Sequence, residues 1–365
     1  MKRGILNKRG DNEEAELASY LIIAIDREKN ENPYFTAGFN IKKRIVEETM
    51  SKLTFYNPIL EPGADPWVYK DNNTYYFMVT KRTRLDLWKS PTLSGIAKGS
   101  CKTIWSAPNE GINCANIWAP EIHRINGKWF IYFTANDGIG DDQSRKIFVL
   151  ENSAEDPFNG EWVERGYVNT EYPGLDGTIF EHKGRLYFVY AGYGNFPEYG
   201  SALYIAEMEN PWTITGPNIL LSKPEYDWEK QGGMAINEGP VMLKRNNKLF
   251  LIYSASTTWS DDYSLGMLTI SENEDVMNPQ IWFKSTEPVF KKSIENKVFA
   301  PGHNSFTQSP DGTEDWIVYH AISESEGGSQ RRSTRIQKFN WNADGSPNFG
   351  IPLCTSTPIT IPSGE

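Results

Sequence analysis

The chain of 365 residues is long enough for two domains or for one large all-β or α/β unit. Its 39% hydrophobic and 23% charged residues fit a soluble globular protein, and 13% aromatics, with 12 Trp and 18 Tyr, favour strands and sugar-stacking surfaces. A formal net charge of −10 repels phosphate backbones and anionic membranes, and no basic cluster larger than Arg331-Arg332 offsets it, so neither nucleic acid nor a membrane is an expected partner.

Residues 1–50 match none of the repeats found further along and read as an N-terminal extension. The apolar run at residues 20–25, in LASYLIIAID, is too short to span a bilayer and follows Glu13, Glu14 and Glu16. It reads as a strand or docked segment rather than a signal peptide, and NIKKRIVEETMSKL has the pattern of a short helix. With no recognisable leader the expected location is the cytoplasm, or outside the cell if a native leader has been removed. Cys101, Cys114 and Cys354 are odd in number and widely spaced, so they describe neither a disulfide framework nor a zinc site.

From Pro66 onward one pattern returns: an apolar strand, a tight polar turn, then an aromatic-rich strand ending in small or polar residues. The copies are PWVYKDNNTYYFMVT from Pro66, EIHRINGKWFIYFTA from Glu121, TIFEHKGRLYFVYAG from Thr178, PVMLKRNNKLFLIYSAS from Pro240 and NSFTQSPDGTEDWIVYHA from Asn304. With Tyr75, Trp129, Leu186, Phe250 and Trp316 matched, the steps are 54, 57, 64 and 66 residues. The turns Asn126-Gly127, Lys183-Gly184, Asn246-Asn247 and Asp311-Gly312 supply residues that tolerate the positive φ of a short hairpin. Further strand candidates, RLDLWKS, KIFVLENS, ALYIAEM, SLGMLTIS and TRIQKFNW, lie between the hairpins. Four strands per unit and five units predict an all-β fold, a five-bladed β-propeller with four-stranded antiparallel blades around a central channel, over residues 51–365. A β-sandwich lacks a period near sixty residues.

In a propeller the first strand of each blade runs beside the axis, so polar residues at its start gather at one mouth of the channel. These starts read PGADPWV with Asp65, IWAPEIH with Glu121, GLDGTIF with Asp176, INEGPVM with Glu238 and APGHNSF with His303. Each presents one ionisable group in nearly the same register. Pro or Gly flanks each of the four carboxylates, which interrupts ladder pairing and lets a side chain turn into the channel. Crowded carboxylates raise one another's pKa values, and a site that protonates one oxygen while a second carboxylate activates water has reason to keep them close. Glycoside hydrolysis uses such a pair.

The pieces GADPWV, NIWAPEIH, LDGTIFEHKG, NEGPVM and PGHNSF, in this order and at blade spacing, resemble glycoside hydrolase family 43 from about Tyr56 to Pro352. The resemblance implies five blades, inversion at the anomeric carbon, Asp65 as the general base, Glu238 as the general acid and Asp176 as the carboxylate that orients and tunes the acid. Its negative charge would raise the pKa of Glu238. An inverting pair stands roughly 6.5–9.5 Å apart, which leaves room for water. His303 matches a position that in many relatives lies near an ion or ordered waters. The resemblance thus requires no cofactor but admits a structural calcium ion reached by His303 through water, with the reservation that a hard cation prefers oxygen. Glu121 is expected on the pocket floor as a hydrogen-bonding group, Trp67 and Trp118 as sugar-stacking walls or as ordinary packing. Arg332, in RRSTR, matches an arginine that reaches the pocket, with Arg335 as the competing choice.

NIWAPEIH and PGHNSF resemble the arabinofuranosidase-like branch of that family. The expected activity is exo-acting release of terminal α-L-arabinofuranosyl residues from arabinan, arabinoxylan or their oligosaccharides. A β-D-xylosidase or a bifunctional enzyme is the alternative, so the expected partner is an arabinose- or xylose-containing saccharide. Fructan-cleaving propellers are retaining and carry an Arg-Asp-Pro motif that this chain lacks. A non-catalytic carbohydrate-binding propeller is the reading from another class, and the presence of all three carboxylates opposes it. GINCAN, ANDGIGDDQS, AGYGNFPEYG and TTWSDDYS are the candidate rim loops. Oligomeric state is not legible in this pattern.

Overall fold

Each repeat folds as a hairpin followed by two further strands, and the computed structural model, which describes residues 53–365, contains five such four-stranded antiparallel sheets. The N-terminal strand and short helix expected above lie outside the described residues. Blade one comprises Trp67–Asp71, Thr74–Met78, Arg84–Ser90 and Ser100–Ser106. Blade two comprises Ala115–Ile125, Lys128–Asn136, Lys146–Asn152 and Val163–Tyr167; blade three, Gly174–His182, Arg185–Gly192, Ala202–Asn210 and Thr213–Ser222. Blade four comprises Asn237–Arg245, Lys248–Ala255, Ser264–Ser271 and Phe283–Lys284; blade five, Phe299–Gln308, Asp315–Ile322, Ser333–Trp341 and Pro347–Asn348. The first strands of successive blades lie against one another, which sets them around the axis of a five-bladed propeller.

The near-continuous apolar runs of the second strands follow from burial on both faces. In blade four, Leu249, Leu251 and Tyr253 pack with blade three, while the alternate residues Phe250 and Ile252 pack with Ile317 and Tyr319 of blade five. Blade two divides in the same way, with Phe130 and Tyr132 turned to blade three and Trp129, Ile131 and Phe133 turned to blade one. Period two is present, but both phases are hydrophobic.

Three hairpins close as their turn residues predict, with positive φ at both central positions: Asn126 at 49° and Gly127 at 80°, Lys183 at 50° and Gly184 at 75°, Asn246 at 51° and Asn247 at 58°. In blade five Asp311-Gly312 sits within a longer connection between Gln308 and Asp315, and of the two only Gly312 has positive φ, 73°. The structural register matches Tyr75, Trp129 and Leu186 with Leu249, one residue before the Phe250 expected from the repeat.

Residues 57–63 close the ring by running beside the third strand of blade five. Thr334 N–H donates to Leu60 C=O and Gly63 N–H to Arg332 C=O, each at 2.9 Å, while the Asn57 amide exchanges hydrogen bonds with the Ile336 backbone at 2.9 and 3.0 Å. A Cβ on Gly63 would meet Thr334 Oγ1 at 2.4 Å, so glycine is required for this approach. The closure brings Asp65, two residues later, beside Arg332.

Candidate active site

A β-bulge repeats near the start of the first strand in every blade, and it positions the site. In blade two Trp118 pairs with Thr134 and Glu121 with Tyr132, so Ala119 and Pro120 together face one residue of the second strand. The same offset separates Leu175 from Thr178, Glu238 from Val241 and Gly302 from Ser305. In each blade the first bulged residue is left-handed: Asp65 at φ 54°, Ala119 at 44°, Asp176 at 53°, Gly239 at 53° and His303 at 47°. Outside glycine this conformation costs roughly 1–2 kcal/mol, and Asp and His tolerate it better than most residues.

The bulge refines the expected common register. Asp65, Asp176 and His303 share one position, Glu238 stands one residue earlier, and Glu121 two residues later. Trp67, paired with Met78, has the same register as Glu121, whereas Trp118 has that of Glu238. Asp65, Asp176, Glu238, His303, Trp118 and Arg332 accordingly line one pocket. Trp67 and Glu121 are not among its lining residues.

Every bulge N–H reaches across to the preceding blade. Ala119 N–H donates to Thr80 Oγ1 at 2.8 Å, Asp176 N–H to Thr134 Oγ1 at 3.1 Å, His303 N–H to Ser254 Oγ at 2.8 Å and Asp65 N–H to His320 Nδ1 at 3.1 Å. In blade three the equivalent second-strand residue is Ala191, paired with Leu175, and its side chain cannot accept. There Gly239 N–H donates instead to Asp176 Oδ2 at 3.1 Å.

Asp65 is buried, with Oδ1 accepting from Arg332 Nη1 at 2.5 Å and Oδ2 from Thr80 Oγ1 at 2.6 Å. Burial alone would raise its pKa, but the Arg332 guanidinium and the further polar contacts hold it well below the usual carboxylate range. Burial pushes His320 down to about 3, so its ring is neutral. Because His320 Nδ1 accepts the Asp65 N–H, it has no proton for Asp65 Oδ1, 3.3 Å away. Arg332 reaches the pocket as expected and is the charge partner of Asp65, and Arg335 is a fully buried strand residue that donates to Ser323 Oγ.

Asp176 and half-buried Glu238 make a second, different environment. Burial raises both, Glu238 to about 7 and Asp176 well above its ordinary value, where the charges of Glu238 and Asp65 push it further. The main cause of the Glu238 shift is therefore burial rather than the Asp176 charge expected from sequence, and the two carboxyls titrate as a pair. Tyr263, fully buried, donates its hydroxyl to Glu238 Oε1 at 2.8 Å. His303 Nδ1 lies between the groups, 3.5 Å from Asp65 Oδ1 and 3.9 Å from Asp176 Oδ2, and burial lowers its pKa.

Potential ligand atoms of Asp176, Glu238 and His303 come within 4.8 Å of one another. Calcium takes roughly six to eight oxygen ligands. One imidazole and two carboxyls, already engaged by Gly239 and Tyr263, do not make a dedicated calcium cage, so the calcium that the resemblance admits at His303 finds no fitting donor set among the described residues.

Glu121 instead belongs to a deeper, buried layer with His123, whose Nε2 is 3.0 Å from Glu121 Oε2, and with Trp67, whose ring lies 4.8 Å from that of His123. Burial pushes Glu121 well up and His123 down to about 3, so burial favours the uncharged form of both. Trp118 is half-buried, and the Arg145 guanidinium covers one face at 3.5 Å from the ring centroid. Sequence reasoning singled out neither Thr80, His320 nor Tyr263 as partners of the carboxylates. The first two stand where the aromatic strands end in a small or polar residue, alongside Thr134 and Ser254, and that recurring ending was their available signal.

A propeller whose channel mouth holds one charge-paired carboxylate and a neighbouring proton-holding pair is built as an acid–base glycoside hydrolase. The model for glycosyl hydrolases family 43 matches residues 55–347, and the chain belongs to that family. Members generally need no cofactor. The chain is similar to the extracellular exo-α-(1→5)-L-arabinofuranosidase of Streptomyces avermitilis, 41% identical over 85% of this chain, and spans 66% of that relative's length. It is 44% identical over 74% of its length to the enzyme of the same name from Streptomyces chartreusis, of which it covers 84%. Among solved structures, the α-L-arabinofuranosidase of Lactobacillus brevis superposes with a TM-score of 0.79 at 39% identity, covering 83% of this chain and 98% of that one. The extracellular names of the two Streptomyces relatives overturn the expected cytoplasmic location and point to secretion.

Ala191→Ser would offer Gly239 N–H the kind of acceptor that three other blades use. A hydrogen bond to a charged group is worth roughly 1.5–3 kcal/mol, so freeing Asp176 Oδ2 should lower kcat about tenfold or more, with KM within about twofold. Steady-state kinetics beside a melting curve checks this; an unchanged kcat would show that Asp176 does not depend on that bond.

Proposed function

We propose that the protein is an inverting, exo-acting α-L-arabinofuranosidase that removes terminal α-L-arabinofuranosyl residues from arabinan, arabinoxylan or their oligosaccharides. The observation that carries this reading is the pair of opposed carboxylate environments in one pocket, and the names of the relatives support its substrate class. Residues 51–365 are taken as the catalytic propeller and residues 1–50 as an extension to it.

On this reading Asp65 is the general base. Its pairing with Arg332 keeps it ionised, and a water between it and the anomeric carbon loses its proton to Asp65 as it attacks. Glu238 gives its proton to the leaving glycosidic oxygen. On this reading the pair's shared proton sits on Glu238, and the Gly239 N–H, donating to Asp176 Oδ2, supports the Asp176 carboxylate beside it. Asp176 stays anionic beside the acid and orients it. His303, neutral and wedged between the carboxylates, keeps them apart without cancelling either charge.

Three outcomes are expected. In a pH–rate profile on an α-(1→5)-arabino-oligosaccharide, kcat/KM falls as pH rises past about 7, where Glu238 loses its proton. Its acidic limb lies below the ordinary aspartate value, because Asp65 must be protonated to lose function; an acidic limb at the ordinary value would remove Arg332 as its effective partner. Glu238→Gln should cost roughly 10²–10⁴-fold on natural linkages and far less on aryl glycosides with acidic leaving groups; equal losses would contradict its role as acid. Proton NMR of the first-formed sugar should show the inverted anomer, and retention would rule out water activation by Asp65. The same assay with an aryl β-D-xyloside measures any xylosidase activity.

A further inference from the structure

Glu238 stands between two anchored neighbours. On one side Gly239 N–H donates to Asp176 Oδ2. On the other stands Asn237, a fully buried residue of INEGPVM that the mechanism leaves without a task, and it is held at every polar atom. Its N–H donates to Ser201 C=O and its C=O accepts from Ser201 Oγ, each at 3.0 Å. Its Oδ1 accepts from Ser222 Oγ at 2.9 Å, and its Nδ2 donates to Glu229 Oε1 at 2.9 Å.

Glu229 is the unusual member of this set, a carboxylate with no exposed surface. It ends the single helical turn Asp227–Glu229, and its Oε2 accepts from the N–H groups of Glu225 and Tyr226 at 2.7 and 2.9 Å. Besides the Asn237 amide, its Oε1 accepts from the Tyr253 hydroxyl and pairs with Lys284 Nζ, both at 2.9 Å. Lys284 comes from the short outer strand of blade four, and its ammonium also donates to Lys223 C=O at 2.6 Å. Apolar packing in place of a buried ion pair is often as stable, so stability alone gives little reason for this one. What the charge adds is direction: a charge-assisted bond holds the Asn237 amide more firmly than a neutral acceptor would.

We propose that Glu229, paired with Lys284, is a positioning residue for Glu238 and acts through Asn237. The inference rests on the reading above, in which Glu238 is the acid. A proton donor must meet the leaving oxygen at hydrogen-bond distance, and an error of about 1 Å can cost about 10²-fold in rate. Glu238 stands at a bulge, where ladder pairing is interrupted between Glu238 and Val241, so regular pairing does not fix the strand on that side. Its two neighbours supply the missing constraint, Gly239 through Asp176 and Asn237 through Glu229. Glu229 is not among the residues that line the pocket, so its influence on the reaction runs through the strand.

The test compares two substrates, α-(1→5)-L-arabinotriose, whose leaving oxygen must be protonated, and nitrophenyl α-L-arabinofuranoside, whose leaving phenolate need not be. Asn237→Ala and Glu229→Gln should each lower kcat on the trisaccharide about tenfold or more, with KM within about twofold, and lose less than about threefold on the aryl glycoside. Lys284→Arg, which keeps the charge, should stay within about threefold of the parent on both substrates. Because the two residues act along one path, Glu229→Gln/Asn237→Ala should be no slower than the slower single variant. Equal losses on the two substrates in a variant that melts like the parent overturn the proposal, since the damage would then be general, and so does an unchanged Asn237→Ala. If Glu229→Gln does not fold, Asn237→Ala, which leaves the Glu229–Lys284 pair in place, decides by the same criterion. If Glu238→Gln itself fails to separate the two substrates, the acid reading is wrong and the positioning role falls with it.

Discussion

The Gly239 N–H joins the two halves of the proton-holding pair: it belongs to the residue after Glu238 and donates to Asp176. Much of the site's geometry can be derived from this bond. An amide N–H cannot reverse its role as a hydroxyl can, so it fixes one oxygen of Asp176 as an acceptor and favours its ionised form. The bond exists because all five blades share one left-handed bulge whose N–H faces the preceding blade. Four of those N–H groups find a Thr, Ser or His side chain, and the fifth finds Ala191, beside which Asp176 can take the acceptor's place. A repeated backbone device thus ties two carboxyl-bearing blades together where a single hydroxyl is missing.

The same ring separates two electrostatic regimes within one small pocket. Ring closure through residues 57–63 brings Arg332 onto Asp65, and that charge is the largest of the influences that outweigh the desolvation which would otherwise neutralise it. Among the described residues Asp176 and Glu238 have no such cation in hydrogen-bond contact, so desolvation prevails and raises both. His303 and His320 lie near Asp65, yet both are buried and held neutral, which leaves the guanidinium as the cation facing it. Acid and base chemistry near neutral pH requires environments that push two carboxyls apart in pKa, and here one arginine placed by the closure of the ring largely accounts for the difference.

The repeat, the blade count and three of the hairpins were legible because they are local: periodic apolar runs and Asn or Gly at turns act within a few residues. Asp65, Asp176 and Glu238 were legible for a related reason, since Gly or Pro flanks each and marks an interruption of the ladder. The finer register was not. One bulge makes neighbouring positions along a strand point to different levels of the channel, so Glu121 and Trp67 appeared equivalent to the pocket residues although they lie two steps deeper. Partners far away in the chain were also hidden. Arg332 is 267 residues from Asp65, and its role depends on ring closure, which no spacing rule encodes.

The proposed inversion gives the two carboxyl environments a physical rationale. When water attacks opposite the departing oxygen, the two ends of the reaction require different surroundings. On the proposed reading the attacking water needs an ionised base, and Asp65, held by Arg332 and Thr80, is placed to be one. The departing oxygen needs an undissociated acid, and burial, the largest influence raising Glu238, favours one there. One pocket can then serve both ends of the reaction, because a cation holds one carboxyl ionised while desolvation dominates at the other.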